Sequence, residues 1–176
     1  MLADIAQQSG PLEAIVFDTM LGPMGLIERE GVLVGVRVGY PSKENLKRSL
    51  QQYWHPRRWS ETSAIAERLV AFCEGVPDDF RDVPVDDTGL TPFRQRVLAE
   101  CRQIAPGRTM SYAGLARAAG KPRAYRAVGS TMALNQWPIV VPCHRVLRSD
   151  GKIGGYSVPN GLAFKRSLLQ LEARMT

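Results

Sequence analysis

Cysteine and histidine are scarce in this 176-residue chain: Cys73, Cys101 and Cys143 are the only cysteines, His55 and His144 the only histidines. An odd number of cysteines without short spacing gives neither a disulfide framework nor a Cys-x-x-Cys pair. Four zinc ligands at finger-like spacing cannot be assembled either, so no zinc site is expected. No run of about 18 apolar residues is present, and no charged segment followed by an apolar core stands at the start. This reading predicts no membrane span, no secretion, and a protein of the cytoplasm, or of the nucleus in a eukaryote. Repeats and low-complexity tracts are absent too.

Acidic residues are the other shortage, and it is local. Residues 89–176 hold 3 Asp+Glu against 14 Lys+Arg, a net of +11, whereas residues 1–88 hold 14 against 9, a net of −5. A basic half next to an acidic one points to two units. Lys and Arg gain affinity for nucleic acid by releasing counterions from its phosphates. On charge alone a merely soluble basic surface explains the excess equally well.

The N-terminal unit, 1–76, reads as α/β. Ala14 to Asp18 has strand composition, Gly22-Pro23-Met24-Gly25 has turn chemistry, and Leu26-Ile27 and Val32 to Val38 complete a small antiparallel meander. Lys43 to Trp54 and Ser60 to Glu74 carry helical periodicity on either side of the Trp54-His55-Pro56 break. Residues 77–90, rich in Asp and Pro, form the expected linker.

The unit 91–176 opens with helices. Thr91-Pro92 is a good start, because the hydroxyl can cap free amides and proline occupies a turn where it costs no hydrogen bond. Pro106-Gly107 stops that helix. Ser111 caps a second, Tyr112 to Ala119, and after Gly120-Lys121-Pro122 a third runs from Arg123 to Leu134, a helix-turn-helix pattern. Ala124, Ala127, Gly129, Ser130 and Ala133 keep the third helix thin. Close approach to another helix or to a ligand would each account for that. Cys73 and Cys101 fall on apolar helical stripes and read as buried small hydrophobes.

Pro142-Cys143-His144-Arg145-Val146 carries the chemistry. A thiolate is a strong nucleophile, and a neighbouring imidazole or guanidinium is expected to lower the thiol pKa toward neutrality. With Arg126-Ala127-Val128-Gly129 and Asn135 before it, and Gly155-Tyr156 and a last helix ending in Leu171-Glu172 after it, the segment closely resembles the O6-alkylguanine-DNA alkyltransferases. The resemblance is specific from about Phe93 to Glu172. It implies a ribonuclease-H-like N-terminal domain and a helical C-terminal domain with the helix-turn-helix. It implies direct, single-turnover transfer of an alkyl group from O6-alkylguanine in DNA, with O4-alkylthymine a further candidate, to Cys143, with no metal or other cofactor taking part.

By that resemblance His144 is the base, acting through a water, and Glu172 orients it. Asn135 braces the turn of the nucleophile, and Tyr112 assists rotation of the nucleotide and donates to the leaving guanine. Arg126 fills the stack vacated by the flipped base, although a phosphate contact would suit it as well. Ser111, Tyr112, Ala127 and Gly129 belong to the face that meets the minor groove of double-stranded DNA. Pro138, Tyr156, Ser157 and the backbone of Val146 hold the base, and a monomer is expected. Arg145 is placed outside the catalytic set, with a structural role.

Two departures stand out. Gln136-Trp137 follows Asn135 where the family commonly has proline, and Ser157-Val158-Pro159-Asn160-Gly161 replaces a short glycine-containing segment beside the alkyl pocket. The family's tolerance of large adducts is therefore not carried over. An alkyltransferase-like binder without transfer activity is the main alternative, which Cys143 opposes. A helix-turn-helix regulator would need an Asn, Gln and Arg cluster on the thin helix, and a Cys-His-Glu hydrolase is a third reading.

Overall fold

The computed structural model describes residues 10–175. Residues 1–9 and Thr176, which the sequence reading assigns to the two units, lie outside the described residues. Strands β1 (Glu13–Phe17), β2 (Met24–Arg29) and β3 (Val32–Arg37) pair antiparallel in sequence order. The β2–β3 turn needs positive φ at both Glu30 and Gly31, 51° and 80°, the geometry that matches the twist of two joined strands. Helix α1 (Lys43–Trp54) is capped by Ser42 and ends where His55 turns left-handed at φ 51°.

Helix α2 (Ala64–Cys73) starts later than its periodicity suggested. Arg58–Ser60 forms a strand instead, β4, parallel to β1, and Ser63 caps the helix behind it. The sheet order is thus β3-β2-β1-β4. Alternation along the strands divides the apolar side chains between the two faces. Ala14 and Ile27 pack with Leu46 and Leu50 of α1, while Ile15, Phe17, Met24 and Leu26 join the main core, which extends through α2 into the C-terminal half.

Residues 77–90 contain no helix or named strand, yet they are a packed strap. Phe80 and Val83 are buried. Arg68 grips the carboxylates of Asp78 and Asp82, and Arg102 donates to the carbonyls of Phe80, Arg81 and Val83. Leu33 of β3 donates its N–H to Pro84 and accepts from Asp86, at 2.9 Å each.

The second half packs α3 (Pro92–Arg102), α4 (Tyr112–Ala118) and α5 (Tyr125–Ala133), followed by α6 (Gly161–Glu172). Thr91 and Ser111 cap α3 and α4 as expected. Helix α5 begins at Tyr125 rather than Arg123 and has no side-chain cap. Val128, Thr131 and Met132 of α5 are buried, whereas Ala127, Ser130 and Ala133 are exposed, and a side chain at Gly129 would meet nothing within 4 Å. The small residues therefore face outward and are not a helix-packing seam. Two-residue strands β5 (Met110–Ser111) and β6 (Val146–Leu147) pair parallel, tying the start of α4 to the chain just beyond Cys143; strands so short leave no periodicity to read. Among the described residues no helix is long and apolar enough to cross a membrane.

Candidate active site and nucleic-acid interface

The buried run Ile139-Val140-Val141 leads through Pro142 into a single 3₁₀ turn, Cys143–Arg145, and all three residues of that turn are buried. Ile139 sits at φ 77°, a conformation that β-branched residues rarely adopt. The turn that contains it is held by Asn135. Its Nδ2 donates to Val141 O at 2.9 Å and to Cys143 Sγ at 3.0 Å, while its Oδ1 accepts from Trp137 N–H at 3.0 Å.

Glu172, at the end of α6, lies 28 residues beyond His144 and is only 1% exposed. Its Oε1 is 2.7 Å from His144 Nε2, and Gly107 N–H donates to Oε2 at 3.1 Å. Arg145 donates to the same carboxylate from Nε at 3.0 and 3.1 Å and from Nη2 at 2.7 Å, and its Nη1 reaches Ile104 O. Every partner of this carboxylate is a donor. Burial alone would raise its pKa, but His144 and Arg145 overcome that and hold it down, to about 2.

An ionised carboxylate can only accept, so the proton shared with His144 resides on Nε2. Burial lowers the His144 pKa further than Glu172 raises it, which leaves the imidazole neutral. Nδ1 then carries a free lone pair. It is buried without a hydrogen-bond partner among the described residues.

The thiol departs from expectation. Its pKa is raised, because burial outweighs Asn135, the nearby Tyr156 hydroxyl and the charge of Lys165. Proximity in sequence was a poor guide: His144 is neutral and Arg145 is committed to Glu172, so neither brings a positive charge to the sulfur. Cys73 and Cys101 are buried free thiols whose ionisation burial also opposes, with Cys73 pushed up to about 11.

Tyr112, Ala113, Tyr125 and Gly129 line an open cleft of about 570 Å³ together with Arg148, Ser149 and Asp150. Arg126 and Ala127 lie exposed on α5 beside it. The Ser111 hydroxyl is occupied as the α4 cap, accepting from Gly114 N–H at 3.0 Å. Pro138, Ser157, Val158 and Pro159 line a second cavity, of about 210 Å³, that Val36 to Val38 and Tyr40 of the N-terminal half complete. The Val146 N–H is used by Cys143 O, and its carbonyl accepts from Lys165 Nζ at 2.7 Å. Tyr156 stacks on Phe164, and its hydroxyl is buried.

Sequence reasoning missed Lys165, fully buried in α6, and gave Arg145 a structural role without identifying Glu172 as its partner. The Lys165 signal was a single cation among the apolar positions Phe164 and Leu168. Tyr125 and Arg148 gave no signal beyond composition.

Residues 92–174 match the family described as "6-O-methylguanine DNA methyltransferase, DNA binding domain". The chain is 47% identical over 91 residues to the bifunctional transcriptional activator/DNA repair enzyme Ada of Escherichia coli, covering 52% of this chain but only 25% of that longer protein. To the methylated-DNA–protein-cysteine methyltransferase of Methanosarcina barkeri it is 36% identical over 160 residues, 89% of this chain and 96% of that one. The crystal structure of Mycobacterium tuberculosis OGT in complex with DNA superposes with a TM-score of 0.73 at 32% identity, over 93% of this chain and 94% of that one. Likeness that spans both halves and includes the Cys143 turn settles the kinship: the chain belongs to the methylated-DNA–protein-cysteine methyltransferase family.

Proposed function

We propose that this protein repairs O6-alkylguanine in DNA by direct transfer of the alkyl group to Cys143, once per molecule. The observation that carries the reading is the unpartnered Nδ1 of a neutral, Glu172-anchored His144 next to a buried thiol that already accepts from Asn135. The thiol proton passes to Nδ1 through a water, and the imidazolium formed is stabilised by Glu172. Sulfur attacks the alkyl carbon as the carbon–O6 bond breaks. The bonding electrons stay on guanine, to which the Tyr112 hydroxyl donates a hydrogen bond, and the proton released from the thiol neutralises it as it leaves as the normal base.

Because the thiol rests protonated in a buried site, base and nucleophile act together when the substrate is seated. No standing thiolate is exposed to other electrophiles. The target atom lies inside the duplex, so the nucleotide is flipped out at a cost of about a few kcal/mol. Helix α4 and the thin outward face of α5 act as the helix-turn-helix and enter the minor groove, which is narrow and poor in sequence information. Ser111, Tyr112, Ala127 and Gly129 lie against the DNA and Arg126 fills the vacated stack. The base is held by Tyr156, Ser157, Pro138 and the backbone of Val146. The N-terminal α/β part, residues 1–76, is ribonuclease-H-like, 77–90 joins it to 91–176, and the protein acts as a monomer.

Incubation with a duplex containing O6-methylguanine, followed by peptide mass measurement, tests the central claim. A single methyl is expected on the peptide with Cys143 and none on those with Cys73 or Cys101. Methylation at either other cysteine, or none at all, overturns it.

A further inference from the structure

Gln136-Trp137, the departure from the family pattern, is where the two halves of the protein are stitched together. The Trp137 indole Nε1–H donates to Leu33 O of β3 at 2.9 Å, and Val36 N–H donates to Gln136 O at 2.7 Å. Arg37 Nη1 adds a bond to the Gln136 side chain at 3.2 Å. The same tryptophan, 3% exposed, is hydrogen-bonded on its other side to the active-site loop. Its N–H donates to Asn135 Oδ1, and its carbonyl accepts from Val141 N–H at 2.7 Å.

A carboxamide can present either its oxygen or its NH₂ group to a neighbour, with opposite effects on a thiolate. Fixing Asn135 Oδ1 on the Trp137 N–H leaves Nδ2 to face Cys143 Sγ, where it favours the ionised form. The reversed amide would set an oxygen against the developing charge. Ile139 at φ 77° shows that the intervening loop holds its shape under strain, so an outside anchor is needed to keep Trp137 in register.

We infer that Trp137 is a positioning residue for alkyl transfer: anchored to strand β3, it fixes the Asn135 amide with its N–H toward Cys143, so the N-terminal sheet sets the ionisation of the nucleophile. This rests on Cys143 being the acceptor. Two substitutions separate positioning from packing. Trp137→Phe keeps most of the ring and removes the donor. Leu33 O is not orphaned by the change, since Asp86 N–H still donates to it. Trp137→His keeps a ring N–H at the corresponding place and loses the outer ring.

The readout is the pH dependence of Cys143 alkylation by iodoacetamide, scored by peptide mass, alongside single-turnover methyl transfer from duplex DNA and urea unfolding. Trp137→Phe should shift the thiol titration upward by about one pH unit and slow transfer at pH 7 about tenfold, with an unfolding midpoint near that of the parent. Trp137→His should unfold at lower urea yet keep the parent thiol titration. Combining Trp137→Phe with Asn135→Ala should add nothing to the Asn135→Ala shift. The reverse order, in which loss of ring volume moves the titration and loss of the N–H does not, overturns the inference, as does an additive double variant. Failure of the underlying reading is distinguishable, because the parent protein would then carry no methyl on Cys143 after reaction with DNA.

Discussion

Glu172→Gln exchanges a single heavy atom and should cost more than most core truncations. The carboxylate receives donors only: His144 Nε2, Arg145 Nε and Nη2, and Gly107 N–H. A carboxamide turns one acceptor into an NH₂ group facing a donor and leaves the Arg145 charge, 1% exposed, without its counterion. Removing one partner of a buried pair costs about 3–5 kcal/mol. The linkage gives a similar size independently. A carboxyl held at about 2 in the folded state against 4.5 unfolded contributes roughly 3 kcal/mol above pH 4.5, lost progressively as pH falls through 4.5 toward 2.

Urea unfolding of Glu172→Gln at pH 7 should show a loss in that range, and its stability between pH 4.5 and 2 should be flatter than the parent's. Arg145→Met should be similarly costly. The double variant Arg145→Met with Glu172→Gln should be markedly more stable than the sum of the two losses predicts, because neither charge is then stranded. Strict additivity, or an acid limb unchanged in Glu172→Gln, would refute the shared-carboxylate argument.

His144→Ala leaves Arg145 on Glu172, so transfer at pH 7 should fall at least a hundredfold while the unfolding midpoint moves far less than in Glu172→Gln; equal losses of stability would count against a base role. In the parent, single-turnover transfer should persist below pH 6.5 and decline only as pH falls through the lowered His144 pKa, which a rate–pH profile checks. Arg126→Ala should slow repair of duplex DNA well beyond its effect on the free modified base, and saturating protein should not restore the duplex rate. Gly39→Ala forces a Cβ to within 2.2 Å of Pro159 O at φ 78°, so it should destabilise by about 2–4 kcal/mol and change the ratio of O6-benzyl to O6-methyl transfer by displacing the loop at 157–159.

The sequence was most readable where physics is local. Helix α1 has the residue bounds its periodicity indicated, and Thr91 and Ser111 act as caps because a hydroxyl near free amides has one evident use. The meander followed from alternation and turn residues. What was not legible is long-range. Arg58–Ser60 is a strand only because β1 offers an edge, and β5 and β6 exist only by pairing with each other. The grouping of Cys143, His144 and Glu172 came from resemblance, since a glutamate 28 residues after a histidine has no periodic signature. The structural role of Arg145 likewise comes from resemblance alone, since nothing in the sequence marks Glu172 as the group its guanidinium turns toward.

The bond from Trp137 to Leu33 spans 104 residues of chain. During synthesis β3 therefore leaves the ribosome long before the segment that covers its outer edge exists. At about 5–20 residues per second the delay is roughly 5–20 s. Through that interval the strand offers bare backbone to any other nascent chain, with only the strap at Pro84 to Asp86 arriving sooner. Expression temperature and chaperone supply should then govern yield through this window more than through the stability of the finished protein.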